Sequence, residues 1–404
     1  MRITPLQINN PQSAAKYLHT IGAEKYGIKI MAPKTIFRVF KVEGIDSYAA
    51  NIIKQHFLSL GSDAALSRDA LVKKIKTDII IFGTLSQIRK FIQKVKHQPF
   101  GLRALAEQLH LRLKNEERTF HCLVRDKHLV IKKPIICGVI NLTPDSFSND
   151  GLLGRHGNSY DTPKELILAK VTEMVKSGAK IIDIGGESTR PFSRPISEEE
   201  EIRRVIPYLK VIRKHFPRII LSVDTYKYRV AKAAIEEGVD IINDITALRH
   251  SPQIVSLIKK YRIGCILMHM KGTPRSMQRS PHYKNVIQEV LQFLEKRINF
   301  CLTQGIEQRQ LFVDPGVGFG KRLEDNLRIL NHLYAFKSLE LPIFLGVSRK
   351  SFIGTIAGAK VEERLPGTVA SIIIATFNGA DIVRVHDVRE IAQAMKISDR
   401  IVHN

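Results

Sequence analysis

Eight short apolar runs, rich in isoleucine and valine, recur along the second part of the chain. They lie at residues 134–141, 179–185, 219–225, 240–245, 264–270, 311–316, 342–348 and 380–386. Each run is hydrophobic without alternation, which is typical of strands buried on both faces of a parallel sheet. The segments between the runs have the period of amphipathic helices, and several end in a glycine that favours a helix C-terminus. Eight strand–helix units in residues 117–404 predict an α/β fold, a (β/α)8 TIM barrel, which typically takes about 250 residues.

Residues 119–131, just before the first run, have two β-rich arms around a polar turn, a pattern that indicates a hairpin. We expect this hairpin to cover the bottom of the barrel, the end at which the strands begin. The barrel domain is therefore predicted to span residues 117–404, with the hairpin at its start.

Residues 1–116 have a different pattern, which predicts a small α+β domain. Two β-rich runs lie at 34–42 and 78–84, and three helical segments lie at 48–61, 85–98 and 101–115. No motif in this part of the sequence indicates a chemical activity, so it is predicted only as an N-terminal extension of unknown function.

The chain is strongly cationic, with a formal net charge of +24 at pH 7. Residues 1–116 carry the densest part of this charge, with 19 Lys and Arg against 8 Asp and Glu. Such a balance raises non-specific affinity for polyanions but does not determine a fold. The sequence has no helix-turn-helix, zinc-finger or aromatic-interleaved basic motif, so nucleic acid is not expected as a partner.

Three absences in the sequence bear on the compartment. No apolar run approaches the roughly 18 residues that a membrane-spanning helix needs, and the first residues lack the apolar core of a signal peptide. The four cysteines, Cys122, Cys137, Cys265 and Cys301, form no C-x-x-C pair. We therefore expect a cytoplasmic protein that does not bind a membrane.

The carboxyl ends of the apolar runs carry polar and charged side chains. The ends supply Asn141, the stretch GGESTRP (185–191), Asp224, Asn243, MHM (268–270), Asp314, SRK (348–350) and RVH (384–386). One aspartate after a strand is usually a helix N-cap. Polar groups at nearly all eight ends are different, because these ends meet at the face of a TIM barrel that holds the active site. The pattern therefore predicts a polar ligand site.

The residue types at these ends indicate the kind of ligand. Asp224, Asn243, Asp314 and Lys350 combine carboxylate acceptors, an amide that both donates and accepts, and an ammonium donor. This set suits the edge of a flat heterocycle such as a pterin or a purine.

Three cations at neighbouring strand ends, Arg190, Arg384 and His386, suit a phosphate or a diphosphate. The glycines of PGVGFGK (315–321) allow the backbone to approach a ligand closely. They do not form a phosphate-binding P-loop, because Pro315 stands where the first glycine of that motif belongs.

Eight stretches of the sequence resemble motifs of the dihydropteroate synthase family, in the family's order, over essentially all of residues 117–404. They read GVINLTPDSFSNDG, DIGGESTRP, LSVDTYK, IINDI, LMHMKGTPRSMQ, DPGVGFGK, GVSRKSFIG and RVHDV. The resemblance implies that (7,8-dihydropterin-6-yl)methyl diphosphate condenses with 4-aminobenzoate in folate biosynthesis, with release of diphosphate. It also implies Mg²⁺ as the cofactor, a homodimer, and inhibition by sulfonamides as mimics of aminobenzoate.

The resemblance further implies a role for each of several residues. The pterin would be held by Asp224, Asn243, Met268, Asp314, Phe319, Gly346 and Lys350. The diphosphate would be held by Asn141, Thr189, Arg190, Arg384 and His386, with Asn141 also binding the metal. The aminobenzoate would be held by Phe147, Thr189, Pro191, Phe319, Lys350 and Ser351. Catalysis would rest on Asp224, Lys350, Arg384 and His386.

Other functions remain as alternatives at this point. A methyltetrahydrofolate–corrinoid methyltransferase shares the pterin carboxylates but has no need for the STRP, SRKS and RVH stretches. A nucleic-acid-binding protein would show an affinity that falls by decades with salt. A catalytically inactive relative is disfavoured because the charged positions are intact. The first loop reads SFSNDG, where the family more often has Ser-Asp-Gly-Gly, so both Asn149 and Asp150 are candidates for its acidic position.

Overall fold

The structure, a computed structural model, describes residues 1–8, 10–115, 119–143, 164–189 and 193–403, without the side chains of 114, 115 and 403. The chain divides into two compact units, Met1–Glu117 and Arg118–Asn404. We call them the N-terminal unit and the barrel unit. Each has a hydrophobic core of its own.

The N-terminal unit is an antiparallel three-stranded sheet with helices. Its strands are β1 (Phe37–Asp46), β2 (Asp63–Leu66) and β3 (Lys76–Thr84), in the order β1-β3-β2. Its helices are α1 (Pro11–Thr20), α2 (Lys25–Met31), α3 (Ser47–Ser59), α4 (Leu85–Val95) and α5 (Leu102–Asn115). Helix α4 begins with a capping box, in which Thr84 and Gln87 each accept a hydrogen bond from the other's backbone N–H. Its apolar face, which includes Phe91, packs on Phe57 of α3, with the ring centroids 4.6 Å apart.

The barrel unit begins with a hairpin, followed by eight parallel strands. The hairpin strands are β4 (Phe120–Val124) and β5 (Lys127–Ile131). The barrel strands are β6 (Ile135–Asn141), β7 (Ala179–Gly185), β8 (Ile220–Asp224), β9 (Ile241–Asp244), β10 (Gly264–Met268), β11 (Leu311–Asp314), β12 (Phe344–Gly346) and β13 (Ile382–Val385). The helices are α6 (Lys164–Lys176), α7 (Glu198–His215), α8 (Tyr228–Glu236), α9 (Ile254–Tyr261), α10 (Val286–Thr303), α11 (Leu323–Asn331), α12 (Ser351–Ala357), α13 (Leu365–Phe377) and α14 (Val388–His403).

The eight parallel strands close into a barrel. Their order is β11-β10-β9-β8-β7-β6-β13-β12. A parallel bridge between Val313 and Ile343 joins the two ends of this order. There the N–H of Val313 donates to the carbonyl of Pro342 at 3.1 Å. The predicted (β/α)8 barrel is therefore confirmed.

The hairpin lies against the end of the barrel at which the strands begin. Its apolar side chains, including Phe120 and Leu129, form one buried cluster with inward-facing residues near the starts of the barrel strands, such as Ile181, Ile241 and Phe344. Among the described residues this cluster fills the bottom of the barrel, and the opposite end is the one that offers room for a ligand.

A buried carboxylate ties the hairpin to the barrel. Asp240 is fully buried and accepts a hydrogen bond from the Lys127 ammonium at 2.8 Å and one from the Arg213 guanidinium at 2.6 Å. It also accepts from the N–H of Leu221 at 2.9 Å. One carboxylate thus joins the hairpin, a helix and the start of a barrel strand.

None of the helices in the described part of the chain is both long and apolar enough to cross a membrane.

Asp240→Asn is expected to lower the free energy of unfolding of the barrel unit by about 3 kcal/mol, because a neutral amide leaves two partly buried cations unbalanced. Denaturant unfolding measures this loss. The matched control is Asp399→Asn, which breaks the exposed pair between Lys133 and Asp399 (2.8 Å) and should leave the stability nearly unchanged. Equal losses in the two variants would contradict the role of Asp240.

Candidate active site

A cavity of about 470 Å³ opens at the carboxyl ends of the barrel strands. Its volume lies within the range of roughly 300–1,000 Å³ that is usual for small-molecule sites. Every predicted site residue in the described part of the chain lines it: Asn141, Thr189, Asp224, Asn243, Met268, Asp314, Phe319, Gly346, Lys350, Ser351, Arg384 and His386. Phe147, Arg190 and Pro191 lie outside the described residues, as do Asn149 and Asp150. Seven strands, and the segment that follows the eighth (β7), thus contribute to one cavity.

Arg384 is held between two carboxylates inside the cavity. Its Nε donates to Asp183 Oδ2 at 2.6 Å, and its Nη2 donates to Asp224 Oδ2 at 2.9 Å. The Asn243 amide donates to the same oxygen of Asp183 at 3.2 Å. A guanidinium has five N–H donors, so these two contacts fix its plane and leave three donors for a ligand.

Burial and charge set the ionisation of this pair. Burial raises the pKa of Asp224 to about 7, with Arg384 opposing the shift and the Asp183 carboxylate adding to it. Burial works against the charge on Arg384, but the two carboxylates outweigh it and raise the pKa of the guanidinium. The two carboxylates therefore favour the charged form of Arg384.

Asp183 is a site residue that the sequence did not reveal. It lies on β7, is fully buried, and its Oδ1 has no hydrogen-bond partner among the described residues. It orients both Arg384 and Asn243 through its other oxygen. The sequence carried two signals: Asp183 opens the quoted motif DIGGESTRP, and it is a charged residue inside the otherwise apolar run AKIIDIG, where a carboxylate is costly unless it is paired.

A second carboxylate–cation group lines the same cavity. Asp314 Oδ1 accepts from the N–H of Gly316 at 2.7 Å. The Lys350 ammonium donates to the carbonyl of Val317 and lies 4.6 Å from the centre of the Phe319 ring. Burial raises the pKa of Asp314 and lowers the pKa of Lys350 to about 8, although each partner's charge opposes the shift of the other.

The turn that carries Phe319 requires glycine at two positions. Gly316 and Gly320 have positive φ angles, and a Cβ on either would lie 1.9 or 2.3 Å from the carbonyl oxygen of His269 or Lys271. The turn therefore packs directly against the chain that follows β10.

Lys321 holds the same turn from beneath. Its buried ammonium donates to the carbonyls of Gly316 (2.8 Å) and Phe319 (3.1 Å) and lies 2.9 Å from His269 Nδ1. Burial lowers the pKa of His269 to about 2, so the ring is neutral and its Nδ1 can accept. With the His269 carbonyl at 3.4 Å, Lys321 has four acceptors around its three N–H bonds, and the turn is held in place.

One wall of the cavity is apolar. Met268, Ile245 and Met277 form a small buried cluster against which Phe319 packs. A flat ring could lie on this wall with its polar edge toward Asp224 and Asp314. Gly346 also lines the cavity, but a Cβ there would make only ordinary contacts with Arg384.

His386 and Asn141 meet at the edge of the cavity. The Asn141 amide nitrogen lies 3.3 Å from His386 Nε2, and His386 Nδ1 lies 3.0 Å from the Ser348 hydroxyl. The described residues contain no group of three or more His, Cys, Asp or Glu side chains that could hold a metal ion. Mg²⁺ commonly binds one or two protein oxygens together with substrate phosphates. The amide oxygen of Asn141 is compatible with such a site.

Arg349, next to Lys350 in the sequence, points to a different partner. Its guanidinium forms a two-pronged contact with Asp387, with Nε 3.0 Å from Oδ2 and Nη2 2.5 Å from Oδ1. Arg349 and Lys350 both line the cavity, but they have different partners: Arg349 pairs with Asp387, whereas Lys350 donates to the carbonyl of Val317.

Comparison with known proteins identifies the family. A family model described as pterin binding enzyme matches residues 137–386. The dihydropteroate synthase of Haemophilus influenzae is 42% identical over 272 residues, which cover 67% of this chain and 95% of that protein. The bifunctional dihydropteroate synthase/dihydropteroate reductase of Helicobacter pylori is 32% identical over 392 residues, which cover 96% of both proteins.

Solved structures agree with the sequence comparisons. A Yersinia pestis dihydropteroate synthase in a sulfonamide drug complex has a TM-score of 0.65 and 37% identity, and the match covers 70% of this chain and 100% of that one. The Xanthomonas albilineans enzyme in complex with 7,8-dihydropteroate has a TM-score of 0.61 and 35% identity, with 70% and 99% coverage. With the barrel, the cavity and these matches together, the chain belongs to the pterin-binding enzyme family.

Proposed function

We propose that this chain is a dihydropteroate synthase, which condenses (7,8-dihydropterin-6-yl)methyl diphosphate with 4-aminobenzoate to give 7,8-dihydropteroate and diphosphate. The observation that carries the proposal is the meeting of polar residues from seven of the eight strand ends in one cavity, with Met268 at the eighth. The relatives named dihydropteroate synthase are similar over nearly their whole length. These relatives favour the synthase over a methyltetrahydrofolate–corrinoid methyltransferase. A cytoplasmic location remains a prediction from the sequence.

The pterin is proposed to lie with its polar edge toward Asp224, Asn243 and Asp314. A pterin edge carries ring and exocyclic N–H donors beside a carbonyl acceptor, so carboxylates, an amide and the Lys350 ammonium are suitable partners. The apolar wall formed with Met268 supports one face of the ring.

The diphosphate is proposed to bind next to the pterin, near Asn141, Thr189, Arg384 and His386, together with Arg190. Three N–H donors of Arg384 remain after its contacts with Asp183 and Asp224. Asn141 would hold Mg²⁺, which supplies neutralisation of the phosphate charge when bound.

Catalysis needs a stabilised leaving group and a stabilised cation. The charge on the diphosphate grows as its bond to the pterin methylene breaks, and the fixed guanidinium of Arg384 stabilises that charge without reorganisation. The carboxylates of Asp224 and Asp314 stabilise the positive charge left on the pterin. The neutral arylamine of 4-aminobenzoate, held near Thr189, Phe319, Lys350 and Ser351 with Phe147 and Pro191, then attacks the methylene carbon and releases its proton to solvent.

A homodimer is also proposed, and an exposed apolar face supports it. Ile374 and Phe377 on α13 and Ile397 and Ile401 on α14 are each more than half exposed. Helices α13 and α14 pack side by side, so these side chains could be covered by a second copy.

The decisive experiment incubates the purified protein with the pterin diphosphate, Mg²⁺ and labelled 4-aminobenzoate. Labelled dihydropteroate is expected, and a sulfonamide should reduce its formation until excess aminobenzoate restores it. Absence of product under conditions in which a relative is active would sink the proposal.

Asp314→Asn is expected to weaken pterin binding about tenfold to a hundredfold, because loss of a charged hydrogen-bond partner costs about 1.5–3 kcal/mol. Calorimetry with a pterin measures the change. Asp325→Asn is the matched control, since Asp325 is a buried carboxylate that pairs with Arg322 at 2.9 Å and does not line the cavity. Unchanged pterin affinity in Asp314→Asn would refute its role.

The kcat/KM of the synthase is expected to fall below about pH 7 and again above about pH 8. Asp224 gains a proton below its raised pKa of about 7, and Lys350 loses its proton above its lowered pKa of about 8. Because kcat/KM reports the free enzyme, its pH profile measures these two groups directly. A flat profile from about pH 6 to 9 would be incompatible with this assignment.

We propose a second activity for the N-terminal unit, dihydropteroate reduction. The synthase of Haemophilus influenzae matches 67% of this chain, whereas the bifunctional synthase/reductase of Helicobacter pylori matches 96% of it. The additional matched length must fall largely within Met1–Glu117. This correspondence favours a reductase role for that unit.

The full chain is expected to reduce 7,8-dihydropteroate to tetrahydropteroate with a reduced nicotinamide or reduced flavin as the hydride donor. A chain of residues 119–404, which keeps the hairpin and all barrel strands, should retain synthase activity and lose this reduction. Chromatography of the pteroates measures both activities. Equal reduction by the two chains, or none by the full chain with either donor, would contradict the assignment.

A further inference from the structure

Three charged side chains are buried together beside the cavity. Lys227, Glu187 and Glu201 have side chains that are 7%, 6% and 1% exposed. The Lys227 ammonium lies 2.6 Å from Glu187 Oε2 and 2.7 Å from Glu201 Oε2. Its third N–H donates to the backbone carbonyl of Ile196 at 2.7 Å. The ammonium thus has one acceptor for each of its three donors.

The same ion pair holds both backbone groups of Ile196. While Lys227 donates to its carbonyl, Glu187 Oε2 accepts from its N–H at 2.9 Å. The other oxygen of Glu187 accepts from the Tyr226 hydroxyl at 2.7 Å. Helix α7 begins directly after this point, with the Ser197 hydroxyl as its N-cap. Glu201 belongs to that helix, so the cluster also fixes its first turn.

The segment between β7 and α7 is also fixed at the end that leaves β7. The carbonyl of Gly186 accepts from Arg204 at 3.1 Å, and a Cβ on Gly186 would lie 2.6 Å from Val205 of α7. Glu187 follows immediately, and Thr189 lies two residues further, at the wall of the cavity. Thr189 is therefore only two residues from a buried, fully paired carboxylate.

Lys227 also connects this chain to β8. It lies three residues after Asp224, which lines the cavity at the end of that strand. Burial alone would lower the pKa of Lys227, but its hydrogen bonds to Glu187 and Glu201 raise it above the ordinary value. The ammonium therefore stays charged and keeps its three contacts.

Stability alone does not explain the cluster. Two carboxylates face one ammonium, and Glu201 Oε1 has no hydrogen-bond partner among the described residues. Well-packed apolar side chains in place of buried ions are often as stable or more stable. What apolar side chains could not do is hold the N–H and the carbonyl of Ile196 in fixed directions.

We propose that Lys227, Glu187 and Glu201 form a positioning clamp that holds Thr189 in register with Asp224 across the mouth of the cavity. The clamp rests on the proposed synthase function for its effect on turnover. Its residues act through Thr189 and Ile196 and take no part in the bond-making step. Loss of the clamp should impair use of the second substrate, 4-aminobenzoate, more than binding of the pterin.

The test compares Lys227→Met with Lys127→Met in the full chain. Lys127 is a matched control because its ammonium also has three acceptors, both Asp240 oxygens and the carbonyl of Ile219, but at the bottom of the barrel. Both variants should lower the melting temperature. Only Lys227→Met should raise the KM for 4-aminobenzoate, by about tenfold or more, with the pterin affinity changed less than about threefold. Lys227→Arg should recover part of the loss, since a guanidinium can reach the same acceptors.

Hydrogen exchange supplies a readout that does not depend on activity. Peptides that contain the N–H of Ile196 should exchange faster in Lys227→Met than in the wild type or in Lys127→Met. If Lys227→Met fails to fold, Glu187→Ala takes its place, because it leaves the Lys227–Glu201 pair neutral and removes the acceptor of the Ile196 N–H.

Each outcome decides a different question. Faster exchange at Ile196 together with a raised KM in Lys227→Met supports the clamp. Unchanged exchange, or equal effects of the two methionine variants on KM, overturns it. If the wild-type protein makes no dihydropteroate, the synthase proposal fails, and the exchange experiment alone decides whether the clamp holds this segment.

Discussion

Arg384 lies between Asp183 and Asp224, and the charge balance of the whole cavity depends on that contact. Asp314 adds a third carboxylate and Lys350 a second cation in the same confined space. Buried charges of one sign are tolerated only when opposite charges and hydrogen bonds compensate them. The compensation between these carboxylates and cations is therefore a condition for having a polar cavity there at all. A ligand that enters must offer donors to the carboxylates and an anion to the cations.

The fold was predictable from the sequence because parallel barrel strands are buried on both faces and therefore appear as continuous apolar runs. Every predicted run contains one barrel strand, yet the runs 219–225 and 342–348 extend beyond Ile220–Asp224 and Phe344–Gly346. Hydrophobicity continues past the last ladder hydrogen bond, so it cannot mark the end of a strand. The short strand β2 and helices α1 and α2 were missed. Helix α1 had a usable signal, since Asn10 is its N-cap and a proline follows directly.

The site residues that lie at the ends of the barrel strands were predictable from the sequence. A residue after a parallel strand has its place fixed by the barrel, which is why Asn141, Asp224 and Asp314 line the same cavity. Asp183 was missed because it lies within its strand and not at the strand's end. It belongs to the site only because its side chain points inward. Lys227 and Glu187 were in quoted motifs, but their pairing joins segments 40 residues apart and leaves no local pattern.

The cationic composition of the barrel unit has a structural explanation that the sequence did not supply. Several partly or fully buried cations bind the backbone carbonyls of loops and helix ends, which have no partner within their own element. They are Arg125 (Ile235 and Val239), Arg213 (Gly238 and Ile219), Lys227 (Ile196), Arg297 (Ala247), Lys321 (Gly316 and Phe319) and Arg364 (Ala359). Such cations face inward, so they contribute little to the attraction of polyanions. Part of the net charge of +24 is therefore a means of fixing loops rather than a sign of a charged partner. At the bottom of the barrel these bonds from cations to backbone carbonyls stabilise the fold, and at the top the same kind of bond holds the loops at the cavity.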